Sequence, residues 1–415
     1  MTAASADPLA LPRARTAART VTLCFAAALA EGYDVGSVGL AAPKMAPALA
    51  LSQAQLGPVF SASIVGLLIG AVFIGRLADR VGRKRCLIGS MITFGVFSAA
   101  TAFCGGFGDL LVIRFLAGLG LGGAMPNLIA LAAEVASERR RERLVSAMAS
   151  GMPFGGAIAG AVASVLGWRE IFYVGGVFPV VLAAVMIGAL PESRRFLSAT
   201  RSPAVAAART DLGHVLFGGG RAGTTLLLWA ASFTSVLTLY LLLNWLPTLM
   251  VGKGVSRPVA SVVALLFGLG GGLGIFVVGA LLERPRRTWT MAIWFTAEAA
   301  ALVALARVGA DPLLAAASGF AAGAFAGCAP LALYGLAPGY YAVVMRGSGV
   351  GASVGVGRLG GIAGPLLAAA LLAVGATPSL VLMALLPIVA LAGGAFLLLL
   401  TRIHGADSRI YSKQR

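Results

Sequence analysis

Charged residues are scarce in this chain of 415 residues. Only 11% of its residues are charged, whereas 59% are hydrophobic. Soluble globular domains carry about 25% charged residues, so this composition excludes the soluble class. Apolar segments of about 20 residues follow one another along most of the chain and predict a polytopic membrane protein.

Residues that could support enzymatic or metal chemistry are equally sparse. The four cysteines lack metal or redox spacing, so we expect small packing residues and no metal site. Both histidines, His214 and His404, fall in predicted cytoplasmic segments, which argues against a histidine proton relay within the membrane. An intramembrane enzyme would need a nucleophile with a base, or a metal cluster. Because the sequence shows neither, we do not expect an enzyme.

Twelve spans are predicted, and the longest hydrophilic stretch follows the sixth. Their centres lie near residues 32, 67, 96, 122, 155, 181, 236, 269, 298, 325, 360 and 390. This pattern predicts an all-α membrane protein with twelve transmembrane helices in two six-helix bundles. The predicted parts are a cytoplasmic tail (1–19), an N-terminal bundle (20–191), a cytoplasmic linker (192–221), a C-terminal bundle (222–401) and a second cytoplasmic tail (402–415).

The net charge of +17 is explained by membrane orientation rather than by a nucleic-acid partner. The basic residues form short clusters between apolar segments, and no basic domain with interleaved aromatic residues occurs. Most of them fall on the predicted cytoplasmic side, which places both termini inside the cell. The predicted outer loops contain Lys44, Arg169, Lys253, Arg257 and Arg307.

The two halves of the chain share landmarks at a constant offset. Gly75 and Gly279 are 204 residues apart, and so are Pro126 and Pro330. An even number of spans in each half makes the two repeats parallel, an arrangement found in transporters that rock two bundles around a central site.

The loop after the second span reads GRLADRVGRKR from Gly75 to Arg85. One interpretation is a gate, in which Asp79 caps a helix N-terminus or pairs with an arginine in one conformation only. The alternative is a cluster of positive charge that only sets topology. Because topology requires neither Asp79 nor the glycines, we favour a gate. Its predicted residues are Gly75, Asp79, Arg80, Gly82 and Arg83.

Further gate residues are predicted from copies of this pattern. Glu283 and Arg284 lie 204 residues after Asp79 and Arg80 and form a degenerate copy of the loop. Glu134, at the cytoplasmic end of the fourth span, precedes a basic run and is a candidate latch; the alternative is a solvated charge run. Arg346, in another inner loop, is assigned to the same group.

These motifs resemble those of the major facilitator superfamily. The loop from Gly75 to Arg85 is similar to its signature between helices 2 and 3, and the segment from Arg114 to Asn127 is similar to its fourth-helix arginine and glycine motif. Within the superfamily, the segments EGYD (31–34), MPN (125–127) and GRLG (357–360) resemble the aromatic acid:proton symporter family. The segment NWLP (244–247) resembles its 3-hydroxyphenylpropionate transporter branch.

Three charged residues predict a coupling site in the N-terminal half. Glu31 and Asp34 are three residues apart on a helix and therefore share a face. Two carboxylates this close in an apolar setting cannot both ionise cheaply, so at least one is expected to carry a proton near neutral pH. Arg114 lies at a depth comparable to that of Asp34, which allows an ion pair. The alternative role for this trio is to hold the bundle together; intramembrane charges favour a functional role.

Substrate binding is assigned mainly to the C-terminal half. Arg358 lies near the middle of the eleventh span, and its guanidinium can hold a carboxylate with two hydrogen bonds. The alternative is a packing pair with Glu298 in the ninth span. Further candidates are Tyr240, Asn244 and Trp245 in the seventh span, and Asn127 in the fourth, although each could instead serve helix packing.

We therefore expect a proton-coupled importer of a small aromatic carboxylate. The alternatives are a symporter of another organic anion or sugar acid, and a drug-type proton antiporter. The glycine clusters lie inside apolar helices without a Walker lysine, so we expect no nucleotide and no cofactor. The predicted partners are the substrate, protons and the lipid bilayer of the inner membrane, with the monomer as the functional unit.

Overall fold

The computed structural model describes residues 14–136, 141–193, 196, 212–282, 287–309, 311–341 and 345–412. Within these ranges the chain is helical and contains no strand. In chain order the helices are α1 (Ala14–Ala48), α2 (Gln53–Val81), α3 (Arg83–Thr101), α4 (Phe107–Glu134), α5 (Arg141–Ala149), α6 (Gly151–Val165), α7 (Trp168–Ala189), α8 (Leu212–Phe217), α9 (Ala222–Gly252), α10 (Arg257–Leu282), α11 (Arg287–Arg307), α12 (Pro312–Ala326), α13 (Ala329–Leu336), the 3-10 turn Ala337–Tyr340, α14 (Arg346–Ala373), α15 (Pro378–Met383) and α16 (Leu385–Ser412).

Eleven segments of the described chain are long and apolar enough to cross a membrane. The segment that falls short is α3, which contains the predicted span centred near residue 96. Its first turn carries Arg83, Lys84 and Arg85, and serines and threonines lower its hydropathy further on. The all-α membrane fold expected from the sequence is confirmed, and all four cysteines are buried and free, as expected for packing residues.

The chain divides into two compact units. The first comprises residues 1–41, 62–162 and 166–207, and the second comprises residues 42–61, 163–165 and 208–415. The segment 42–61 thus groups with the second unit, where the Phe60 ring meets the Trp245 ring edge-on at 5.3 Å. Ser61 Oγ in the same segment donates a hydrogen bond to the Ile362 carbonyl oxygen at 2.9 Å. The bundle boundaries expected from the sequence remain predictions.

Glycines allow the helices to touch backbone to backbone, and the same contact recurs in both units. In the first unit, a Cβ added to Gly155 on α6 would overlap the carbonyl oxygen of Leu29 on α1. In the second unit, a Cβ on Gly360 of α14 would overlap the carbonyl oxygen of Phe233 on α9. Gly360 lies 205 residues after Gly155, and Phe233 lies 204 after Leu29. The repeat expected from the sequence is therefore visible as equivalent helix contacts.

The C-terminal end of α11 is held by a half-buried cation. Lys253, just beyond the end of α9, donates from Nζ to the carbonyl oxygens of Leu305 at 2.6 Å and Ala306 at 2.8 Å. These carbonyls belong to the last turn of α11, where a positive charge is favourable. Desolvation lowers the pKa of the Lys253 ammonium.

Replacing Gly360 by alanine tests the contact with α9. We expect Gly360→Ala to lower the unfolding free energy by about 1–3 kcal/mol, because the new methyl group forces α14 away from the Phe233 carbonyl. Gly355→Ala on the same helix is the matched control, since a Cβ there meets no atom within 4 Å. The measurement is the melting temperature of the purified protein in detergent. Equal melting temperatures for the two variants would contradict this account of the contact between α14 and α9.

Candidate functional site

Asp34 and Arg114 form an ion pair in the interior of the first unit. Arg114 Nη2 lies 2.8 Å from Asp34 Oδ2, and Nη1 donates to Oδ1 at 3.3 Å. Both side chains are fully shielded from solvent. The guanidinium thus holds the carboxylate by two parallel hydrogen bonds, the strongest form of this interaction.

Two serines extend this ion pair to neighbouring helices. Ser98 Oγ on α3 donates a hydrogen bond to Asp34 Oδ1, and Arg114 Nε on α4 donates to Ser63 Oγ on α2 at 3.1 Å. The guanidinium also lies over the Phe172 ring of α7, at 5.8 Å from the ring centroid. Because α1 supplies Asp34, the cluster joins five helices of the first unit.

Glu31 lies one helical turn before Asp34 and is 1% exposed. Between them on α1, Tyr33 directs its hydroxyl away along a different face and donates to the carbonyl oxygen of Ile171 at 3.1 Å. Glu31 and Asp34 are therefore two buried carboxyl groups on neighbouring turns, of which Asp34 is the one bonded to Arg114. A proton bound at either group would change the charge of the cluster.

Arg358 in the second unit contacts Tyr240 rather than Glu298. Its Nη1 donates to the Tyr240 hydroxyl at 2.9 Å, and Arg358 itself is half-buried. The two ion pairs among the described residues are Arg83–Glu134 and Arg114–Asp34. The alternative of a packing ion pair with Glu298 is thus not formed in this structure.

The other predicted substrate residues donate hydrogen bonds to backbone carbonyl oxygens. Trp245 is fully buried, and its Nε1 donates to the carbonyl oxygen of Pro365 at 3.1 Å. The side-chain amides of Asn244 and Asn127 each donate to the carbonyl oxygen four residues earlier. Asn244 donates to Tyr240 at 2.8 Å, and Asn127 donates to Gly123 at 2.7 Å. In the observed conformation Trp245 packs in the core, and both amides are oriented by their own helices.

Only Gly82 separates α2 from α3, so the expected loop from Gly75 to Arg85 is almost entirely helical. The start of α3 is bonded to two other segments of the first unit. Arg83 forms an ion pair with Glu134 at the end of α4, and Glu134 accepts a hydrogen bond from Ser193 Oγ at 2.8 Å. Glu192 Oε1 accepts from the backbone N–H of Lys84 at 2.9 Å. Gly82 has φ of 108°, and a Cβ there would lie 2.6 Å from Glu192 Oε2, so glycine is required at this turn.

Several predicted gate residues cannot be compared with this cluster. Glu283 and Arg284 lie outside the described residues, as do the side chains of Asp79 and Arg346. Arg80 is exposed, and a Cβ at Gly75 would meet open space. The gating roles of all these residues remain predictions.

Comparison with known proteins assigns the family. The profile of the Major Facilitator Superfamily matches residues 24–284. The 3-(3-hydroxy-phenyl)propionate transporter of Escherichia coli (strain K12) is 42% identical over 388 residues, which cover 92% of this chain and 94% of that protein. The chain belongs to the major facilitator superfamily.

Another relative is similar to this chain in sequence, and a solved structure is similar to it in fold. The 4-hydroxybenzoate transporter PcaK of Pseudomonas putida is 35% identical, with 92% of each chain covered. A solved structure of a bacterial homologue of the human lysosomal transporter Spinster, inward-facing and unoccupied, superposes with a TM-score of 0.76. It is 15% identical and covers 94% of this chain and 98% of that one, which shows the shared fold. The resemblance to the aromatic acid transporters is confirmed.

Sequence reasoning did not single out Ser63, Ser98 or Phe172 as partners of the ion pair. Serines are common in membrane helices, where they also bond to their own backbone, so no local pattern marks these two. The superfamily motif from Gly75 to Arg85 was recognised in the sequence. Its hydrogen bond to Glu192 was not predicted, because that bond joins residues 108 apart in the chain.

Removing the Glu192 carboxyl tests the anchoring of this loop. We expect Glu192→Ala to raise amide hydrogen exchange near the start of α3 by about fivefold, because the N–H of Lys84 loses a cap worth about 1 kcal/mol. Glu170→Ala, an exposed acid on α7, is the matched control. Exchange measured by mass spectrometry should be unchanged in the control, and unchanged exchange in Glu192→Ala would contradict the anchoring role.

Proposed function

We propose that this chain imports an aromatic carboxylate of the hydroxyphenylpropionate or hydroxybenzoate type together with protons, by alternating access. The observation that carries the proposal is the Asp34–Arg114 ion pair beside Glu31, in a chain 42% identical to a 3-(3-hydroxy-phenyl)propionate transporter. The carrier acts as a monomer in the inner membrane, with both termini in the cytoplasm. The arrangement of basic loops in the sequence supports this orientation.

Proton coupling is assigned to Glu31, Asp34 and Arg114. A proton bound to this cluster cancels one negative charge and weakens the hold of Asp34 on the Arg114 guanidinium. Because a charge left alone in an apolar interior is costly, the protonated cluster favours entry of an anionic substrate. Release of the substrate restores the ion pair and expels the proton, which couples the two movements.

Substrate recognition is assigned to Arg358 with Tyr240. The guanidinium can hold a carboxylate by two hydrogen bonds. The Tyr240 hydroxyl already accepts a hydrogen bond from Arg358 Nη1, which orients the guanidinium. Asn244 and Asn127 are oriented by their own helices and keep their amide oxygens as acceptors for a substrate hydroxyl.

The cytoplasmic loop is assigned to gating. The Arg83–Glu134 ion pair and the Glu192 cap hold the start of α3 in the observed conformation. We propose that Asp79, Arg80, Glu283, Arg284 and Arg346 complete the gate in another conformation.

Asp79→Asn should then slow transport while leaving substrate affinity unchanged.

Neutralising Asp34 tests the coupling assignment. We expect Asp34→Asn to abolish proton-driven accumulation in proteoliposomes, because the cluster can no longer gain and lose a proton at this position. Exchange of labelled for unlabelled substrate, which needs no net proton movement, should persist and shows that the variant is folded. Asp109→Asn, an exposed acid at the start of α4, is the matched control and should accumulate substrate normally. Accumulation by Asp34→Asn with an unaltered pH dependence would refute the assignment.

Changing the shape but not the charge of Arg358 tests substrate recognition. We expect Arg358→Lys to weaken binding by about 1–3 kcal/mol, since an ammonium group keeps the charge but loses the two-pronged geometry. Tyr240→Phe, which removes the hydroxyl that orients the guanidinium, should weaken binding by a smaller amount. Affinity is measured by equilibrium binding of a labelled aromatic acid. An amide analogue of the substrate should discriminate little between wild type and Arg358→Lys; strong discrimination would argue against a carboxylate contact.

A further inference from the structure

Glu298 is a buried acid that the proposed cycle does not use. It lies near the middle of α11, 11 residues from Arg287 and 9 from Arg307, which is about 16 and 14 Å along the helix axis. The residue is 2% exposed. Its Oε2 is buried and has no hydrogen-bond partner among the described residues.

The helices packed on α11 bring no charge to its middle. They are α10, α12, α15 and α16. Neither α12 nor α15 contains a titratable residue; α10 contains Arg257, which is exposed at its outer end. Residues 385–401 of α16 contain none, and its charged residues follow from Arg402 onward. Among the described residues, the buried thiol of Cys328 lies close enough to interact electrostatically with Glu298.

The same face of α11 contacts a broken span. Trp294 lies four residues before Glu298, on the same face of the helix. Its Nε1 donates to the carbonyl oxygen of Phe325 at 3.1 Å, and its ring meets the Phe325 ring edge-on at 5.0 Å. The helix α12 ends one residue later, and α13 begins at Ala329, next to a proline that has no N–H to donate. Interrupted spans of this kind expose backbone polar groups at mid-depth in transporters.

We propose that Glu298 is a second proton-binding site of this chain, a carboxylic acid that holds its proton at neutral pH and is separate from Glu31 and Asp34. Among the described residues, an ionised carboxylate would here lack a cation, and its Oε2 would lack a hydrogen-bond donor, so the neutral acid is the stable form. One consequence rests on the proposed function. A neutral Glu298 does not compete with the substrate carboxylate for the guanidinium of Arg358.

Infrared spectroscopy of the protein in lipid membranes tests the proposal without any transport measurement. A protonated carboxyl group and a carboxylate absorb at different C=O frequencies. At pH 7 the wild type should show a carboxylic-acid band that Glu298→Gln lacks and that the control Glu170→Gln retains. Loss of carboxylate absorption in Glu298→Gln, with the acid bands unchanged, would overturn the proposal.

Substrate affinity provides a second measurement. Glutamine resembles the protonated acid in shape and charge, so binding by Glu298→Gln should stay within about twofold of wild type. A several-fold gain in affinity for the anionic substrate would show that Glu298 carries a negative charge and would overturn the proposal. If Glu298→Gln does not fold, the acid band of the wild type is titrated instead; it should persist through neutral pH, and its loss below neutral pH would contradict the assignment. Uptake by the wild type that does not depend on the proton gradient would refute the proposed function. The infrared measurement would still test whether Glu298 is protonated.

Discussion

The ion pair of Asp34 and Arg114 is the interaction on which the first unit depends. Both side chains are fully removed from solvent, and removing one partner of such a pair typically costs about 3–5 kcal/mol. Ser98 and Ser63 link the pair to α3 and α2, so one carboxyl group is connected, directly or through Arg114, to several helices. In the proposed cycle, a proton that binds to this cluster weakens these bonds and so changes how the helices of the first unit pack.

Close contacts between helices at glycine residues are the second physical constraint on the fold. Helices that meet at Gly155 in one unit and at Gly360 in the other approach so closely that a single added methyl group would collide with a carbonyl oxygen. Without a hydrophobic driving force between helices in lipid, such close approach supplies much of the association energy through van der Waals contact. The recurrence of this contact in both halves explains why the glycines keep a nearly constant offset.

The sequence predicted the fold and the main charges because both follow from local patterns. Span length, basic loops and the spacing of Glu31 and Asp34 needed only one helix at a time, and equal depth in the membrane suggested Arg114 as a partner. The roles of Ser98 and Glu192 could not be predicted, since each depends on which helices become neighbours. The pairing of Arg358 with Glu298 was one of two open alternatives, because a contact between α14 and α11 depends on helix packing and leaves no local pattern in the sequence.

Transport by the purified protein tests the central claim most directly. Proteoliposomes are loaded at one pH and diluted into medium of a lower pH, and the uptake of radiolabelled 3-(3-hydroxyphenyl)propionate and 4-hydroxybenzoate is compared with that of non-aromatic organic acids and sugar acids. We predict accumulation of an aromatic acid that requires the imposed proton gradient and stops when an ionophore collapses it. Accumulation of only non-aromatic solutes, or uptake of aromatic acids that ignores the gradient, would contradict the account.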